Sequence, residues 1–226
     1  MIVAKRKPFN EIVQSLEGIN RVLLVGCGTC VAVCMAGGEK EVGLLASQLA
    51  ISSELAGKQM EIGEATVERQ CDREFLDELK HQVKHYDALL SLACGVGIQF
   101  LADQYPDKIV LPGVDTVFIG ANEEAGYWTE RCRMCGQCYL AHTGAVCPVT
   151  MCPKRLLNGP CSGTRDGKCE VDQEKPCAWT LIYERLGKNG RLDEIKEIIP
   201  PRDHSRNTRP SSLIHKAYKR RYTVHG

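Results

Sequence analysis

Aromatic residues make up only 6% of this 226-residue chain, and they are not interleaved with its lysines and arginines. Binding single-stranded nucleic acid by stacking needs such platforms, so that class of function is disfavoured. No stretch reaches the roughly 18 consecutive apolar residues a membrane span requires. The start, MIVAKRKPFNEIVQSLEG, carries basic residues with no apolar run behind them and reads as a poor signal peptide. Also missing are a P-loop, a flavin fingerprint and a Ser-His-Asp arrangement, and GCGTC at 26–30 lacks the G-x-G-x-x-G spacing of a dinucleotide site. His81 and His85 stand four apart, but the intervening QVK lacks the glutamate of a zinc-protease helix, so the pair reads as a solvated face. The expectation is a cytoplasmic protein with no substrate site of its own.

Cysteine is what the chain has in excess: thirteen residues, an odd number. In a reducing compartment such a count points to metal binding or catalysis before crosslinks, and full pairing would leave one thiol over. Five thiols fall in residues 131–154, RCRMCGQCYLAHTGAVCPVTMCPK. Cys132, Cys135 and Cys138 form C-x-x-C-x-x-C, while Cys147 and Cys152 each precede proline. Three thiolates at that interval can take successive corners of a four-iron, four-sulfide cubane, with a more distant cysteine closing it. Zinc sites more often show two C-x-x-C knuckles separated by a spacer. Cys161, Cys169 and Cys177 supply further ligands, so eight thiols suit two clusters, or one cluster and a four-cysteine zinc site. His142, inside this segment, is the one histidine retained as a candidate ligand.

The net charge of +1 conceals a division. Residues 1–131 hold 12 Lys and Arg against 19 Asp and Glu, a net of −7, whereas 132–226 hold 17 against 9, a net of +8. A basic half suits an anionic thiolate-bound centre. It equally suits a phosphate-bearing partner, and the competing reading is a zinc-stabilised nucleic-acid or scaffold module.

Periodicity in the first half predicts strands at 21–26, 64–70, 87–93 and 108–114, alternating with helices at 38–55, 72–86 and 97–105. Such alternation implies a small, Rossmann-like parallel sheet with ligands at the strand carboxyl ends. Cysteines fall at those ends: Cys27, Cys30 and Cys34 after the first strand, Cys71 after the second, Cys94 after the third. Four of these five are expected to hold a cluster, with glycines 26, 28, 95 and 97 letting the backbone approach it. From residue 129 on, Gly and Pro are frequent and apolar periodicity is weak, so bound metal is expected to replace a conventional core. Two short helices are expected around KNG in 178–199. The predicted organisation is an α/β domain over 1–128, a cysteine-rich, metal-stabilised ferredoxin-like segment over 129–200, and a basic tail over 201–226.

GCGTCVAVCMAGGEKEV, LSLACGVG and the run CRMCGQCYLAHTGAVCPVTMCPKRLLNGPCSGTRDGKCEV, with PCAW after it, resemble the small iron-sulfur companion subunit of bacterial methylenetetrahydrofolate reductase. The likeness runs from residue 20 to about 195. It implies 4Fe-4S clusters, at least two, that relay electrons to or from the FMN of a flavoprotein partner, which interconverts methylenetetrahydrofolate and methyltetrahydrofolate. It further implies an electron donor such as ferredoxin or another redox complex, and no folate chemistry by this chain alone. The basic tail lies outside the resemblance.

Overall fold

A computed structural model describes residues 1–207, 210–218 and 221. The chain divides into two compact units, Met1–Arg131 and Cys132–Gly226. In the first, the elements run β1 (Ile2–Arg6), α1 (Phe9–Ser15), β2 (Arg21–Cys27), α2 (Cys30–Val33), α3 (Glu39–Leu55), β3 (Glu61–Val67), α4 (Arg73–Leu76), β4 (Ala88–Ser91), α5 (Gly95–Gln104), β5 (Ile109–Pro112), β6 (Val114–Glu124) and β7 (Tyr127–Cys132).

Four strands form a parallel sheet in the order β3-β2-β4-β5. β2 and β4 are central, and their runs VLLV and ALLS are buried throughout, as strands covered on both faces must be. One apolar layer contains Val22 and Leu24 of β2 with Val42, Leu45 and Leu49 of α3. The opposite layer contains Leu23 and Val25 with Leu76, Leu79, Val83 and Leu101. A second sheet, in the order β1-β6-β7, pairs β1 antiparallel to β6. Sequence periodicity did not anticipate it.

The helix expected over 72–86 is broken into α4 and two 3-10 turns, Asp77–Leu79 and Val83–His85. Its apolar spacing is real, since Leu76, Leu79 and Val83 are all buried. However, the Tyr105 hydroxyl donates to the Leu76 carbonyl at 2.5 Å, taking an acceptor that a continuous helix would use at Lys80. The Lys80 N–H turns instead to the Asp77 carbonyl at 3.2 Å. The second strand also begins earlier than expected, at Glu61, and ends at Val67.

The second unit contains α6 (Pro148–Met151), α7 (Ala178–Lys188) and short 3-10 turns. Strand pairing among its described residues amounts to the isolated bridges Arg165–Lys168 and Lys168–Pro176. The unit does have a small apolar cluster of its own, contrary to the expectation that metal would replace a core. Val146, Cys177, Trp179, Ile182 and Leu186 are buried together, with Met151 and Leu156 packed against them. The Trp179 indole N–H closes this cluster by donating to the Leu156 carbonyl at 2.9 Å. Of the tail 201–226, residues 208–209, 219–220 and 222–226 lie outside the described residues.

Candidate metal centres

Parallel strands bring the first set of thiols together. Cys27 ends β2, Cys30 opens α2, Cys71 follows β3 and Cys94 is the N-cap residue of α5. Burial pushes the Cys71 thiol above its ordinary range, and the neighbouring Cys27, Cys94 and Cys30 push it the same way. Cys71 is exposed as a residue, so the first cause reflects protein packed near its sulfur. Thiolates gathered at one place are unfavourable without a cation among them.

Cys34 is turned away from that group. It is 5% exposed in the apolar layer. Its sulfur accepts from the Ala4 N–H at 3.4 Å and faces the Ala4 and Val31 carbonyls, each at 3.5 Å. Burial pushes this thiol up, and Cys30 is the one neighbouring thiol that contributes. The geometry therefore separates Cys34 from Cys71, two residues that strand-end position alone left equivalent.

A buried polar clamp holds the three strand ends in step. Gln70 and Ser91 are both 0% exposed. The Gln70 amide Nε2 donates to the carbonyls of Val25 (2.8 Å) and Gly26 (3.1 Å), and its Oε1 accepts from the Ser91 hydroxyl at 2.7 Å. The Ser91 Oγ accepts in turn from the Ala93 N–H at 3.3 Å. Gly26, Gln70 and Ala93 immediately precede Cys27, Cys71 and Cys94. Two of the four glycines near these cysteines, Gly26 and Gly97, are required by close packing. A Cβ on Gly26 would meet Thr66 Oγ1 at 2.5 Å, and one on Gly97 would meet the Ala93 Cβ at 2.7 Å and the Gln70 Cβ at 2.9 Å. A Cβ on Gly28 or Gly95 would find only ordinary contacts.

In the second unit, Cys152, Cys161, Cys169 and Cys177 line one small cavity with Thr164, Glu170 and Trp179. Its volume is about 20 Å³, room for a single water-sized atom. Burial by itself would raise the Cys177 thiol. Hydrogen bonds from the Thr180 N–H and hydroxyl, the Thr164 hydroxyl and the Trp179 N–H outweigh it and hold the thiol below its ordinary value. The Trp179 and Thr180 donors sit at the first turn of α7, where the helix favours negative charge. At the cavity edge Cys161 Sγ donates to Glu170 Oε2 at 3.2 Å, and Lys154 Nζ donates to Glu170 Oε1 at 2.6 Å.

The remaining four cysteines are Cys132, Cys135, Cys138 and Cys147. The C-x-x-C-x-x-C loop is shaped by two left-handed positions, Met134 (φ 50°) and Gly136 (φ 74°). The Met134 N–H points to Cys132 Sγ at 3.4 Å. Alternating hand in successive residues turns backbone N–H groups to one side, a concavity that suits anions and iron-sulfur centres. Five non-glycine residues among those described have left-handed φ: Met35, Met134, Ala145, Arg155 and Asp166. Each lies within three residues of a cysteine, where a strained backbone marks a constrained loop.

His142 lines a cleft of about 490 Å³ with Cys138 of the C-x-x-C-x-x-C loop, Trp179 and Glu194, and His81 and His85 are exposed outside any α-helix. Among the described residues, no three His, Cys, Asp or Glu side chains stand at the separation that holds one metal ion. Closing the four thiols around the 20 Å³ cavity onto one ion requires a contraction, whereas admitting a cubane requires its walls to part. The donor chemistry fits sulfur-bound metal: four cysteines in each group, with N–H and hydroxyl support at Cys177 and an N–H at Cys132. Gln70, Ser91, Thr164, Thr180 and Arg202, which belong to these surroundings, carry no sequence motif that would single them out.

Residues 111–205 match a protein-family model described as methylene-tetrahydrofolate reductase C terminal. This likeness links the chain to folate one-carbon metabolism. It begins at β5, includes β6, β7 and all eight cysteines of the second unit, and reaches ten residues beyond the expected limit near 195, through Arg202. The cysteines of the first unit lie outside it. No curated protein and no solved structure matches the chain. No helix among the described residues is long and apolar enough to cross a membrane.

Proposed function

We propose that the chain is an electron-transfer subunit of a methylenetetrahydrofolate reductase system, carrying iron-sulfur clusters that serve a flavin on a partner subunit. The observation that carries this reading is the grouping of Cys27, Cys30, Cys71 and Cys94 from three separate strand-end loops, clamped by Gln70 and Ser91. A structural ion needs no such rigid sheet edge. A centre that changes charge benefits from one, because fixed ligands keep its reorganisation small. When bound, a 4Fe-4S cluster supplies reversible one-electron transfer.

In this reading the first cluster is held by Cys27, Cys30, Cys71 and Cys94, and the second by Cys132, Cys135, Cys138 and Cys147. The 20 Å³ cavity is assigned to a single zinc ion held by Cys152, Cys161, Cys169 and Cys177, since its volume is nearer to one ion than to a cubane. Cys34 keeps β1 and α2 together through Ala4 and Val31. The chain's own residues thus bind, orient and shield the centres, and the reduction of folate belongs to the partner's flavin. Electron donors such as ferredoxin and the flavoprotein partner follow from the family likeness.

The test is reconstitution with the flavoprotein partner under anaerobic conditions. Changing Cys71 to alanine is expected to abolish folate reduction driven by an external electron donor while leaving FMN binding and dye-linked oxidation of methyltetrahydrofolate intact. Unchanged donor-driven reduction would overturn the relay.

A further inference from the structure

We propose that Arg202 is a positioning residue for the centre held by the C-x-x-C-x-x-C loop, and that its cation raises the reduction potential of that centre; this rests on the cluster reading above. The segment after α7 reads EIIPPRDHS, and its two prolines favour extended chain. It is fastened on both sides of Arg202. Asn158 Nδ2 donates to the Ile199 carbonyl at 2.9 Å, and its Oδ1 accepts from the Ile199 N–H at 2.7 Å. Beyond Arg202, the Asp203 N–H donates to Gln137 Oε1 at 3.1 Å.

Between those fixings Arg202 Nη2 donates to the Cys135 carbonyl at 3.4 Å. Its Nε is buried and has no hydrogen-bond partner among the described residues. A buried guanidinium N–H left unpaired is costly, and such exceptions point to an acceptor that the protein itself does not supply. The Asp203 carboxylate accepts from Ser205 N–H and hydroxyl. The anionic atoms this loop can offer are the sulfurs of Cys132, Cys135 and Cys138 and whatever they hold. A fixed cation beside such a centre stabilises its more negative, reduced state. Arginine does this with a rigid planar fork, which lysine lacks.

The experiment uses the full chain, purified anaerobically, as wild type, R202Q, R202K and C135A. Iron and acid-labile sulfide are measured, and each cluster's potential is followed by EPR-monitored titration. The C135A variant identifies which signal belongs to this loop. The expected result is a downward shift of that one potential in R202Q, a smaller shift in R202K, and no movement of the other cluster. A fully loaded R202Q with an unmoved potential overturns the proposal. If R202Q does not load the loop centre, R202K decides. Loading recovered with lysine supports the cation's role, and loading lost in both overturns a role of charge. Wild-type protein without iron and sulfide would instead remove the cluster reading itself.

Discussion

The Ser91 hydroxyl donates to the Gln70 side-chain oxygen at 2.7 Å, deep in the first unit, and this bond joins the end of β4 to the loop that follows β3. Through its amide nitrogen the same glutamine reaches the end of β2. Changing Gln70 to leucine takes away the acceptor of the buried Ser91 hydroxyl and one donor each from the Val25 and Gly26 carbonyls, of which Val25 keeps the Leu92 N–H at 2.8 Å. The expected cost is about 1–3 kcal/mol, the order of one stranded buried polar group. Urea unfolding of the metal-free protein measures it, with S91A as the milder variant. A loss below about 0.5 kcal/mol, the range of inconsequential surface changes, would contradict the clamp.

Cys34 and Cys71 should respond oppositely to substitution. Cys34→Ala removes a small buried group from the apolar layer and is expected to destabilise the first unit by about 1 kcal/mol while leaving the iron content unchanged. Cys71→Ala is expected to leave stability of the metal-free protein nearly unchanged and to lower the iron content by one cluster. The comparison is made by iron analysis of freshly purified protein. Loss of iron in the Cys34 variant and retention in the Cys71 variant would reverse the assignment.

Trp179 lines the cavity formed by Cys152, Cys161, Cys169 and Cys177 and so reports on its occupant. Stripping zinc with a chelator is expected to shift the tryptophan emission, and the shift should vanish in W179F. The same treatment should make residues 152–177 sensitive to protease, since structural zinc contributes on the order of 10 kcal/mol in small sites. The apolar cluster around Ile182 and Leu186 should protect α7 for longer. Proteolysis that strikes α7 first would contradict this division of stability.

The parallel sheet was legible because β2 and β4 are short apolar runs followed by loops, and that pattern has few other solutions. The antiparallel sheet was less visible. β6, VDTVFIGANEE, alternates poorly in burial, and the signal that remained was the Ala125–Gly126 turn before β7, with Gly126 at φ 84°. The helix over 72–86 had the right apolar spacing and the wrong continuity, because the competing donor, the Tyr105 hydroxyl, comes from the end of α5. All thirteen cysteines stood out in the sequence, yet their division into groups did not. Cys34 is the C-cap residue of the short helix that Cys30 opens, and at that end of the helix its sulfur meets the backbone of Ala4. Arg202 lies 67 residues from Cys135, too far for any local pattern to connect them.

The central claim is that this chain carries redox-active iron and sulfide, and anaerobic purification followed by metal analysis and EPR tests it most directly. The account predicts a brown protein that bleaches on reduction by dithionite, with about eight iron atoms and as many sulfides for about one zinc, from two cubanes and one four-thiolate site. Reduction should bring up two distinct cluster signals, one lost in Cys71→Ala and the other in Cys135→Ala. A colourless protein with zinc as its only metal and no EPR signal after dithionite would contradict it, and the chain would then be a zinc-stabilised scaffold.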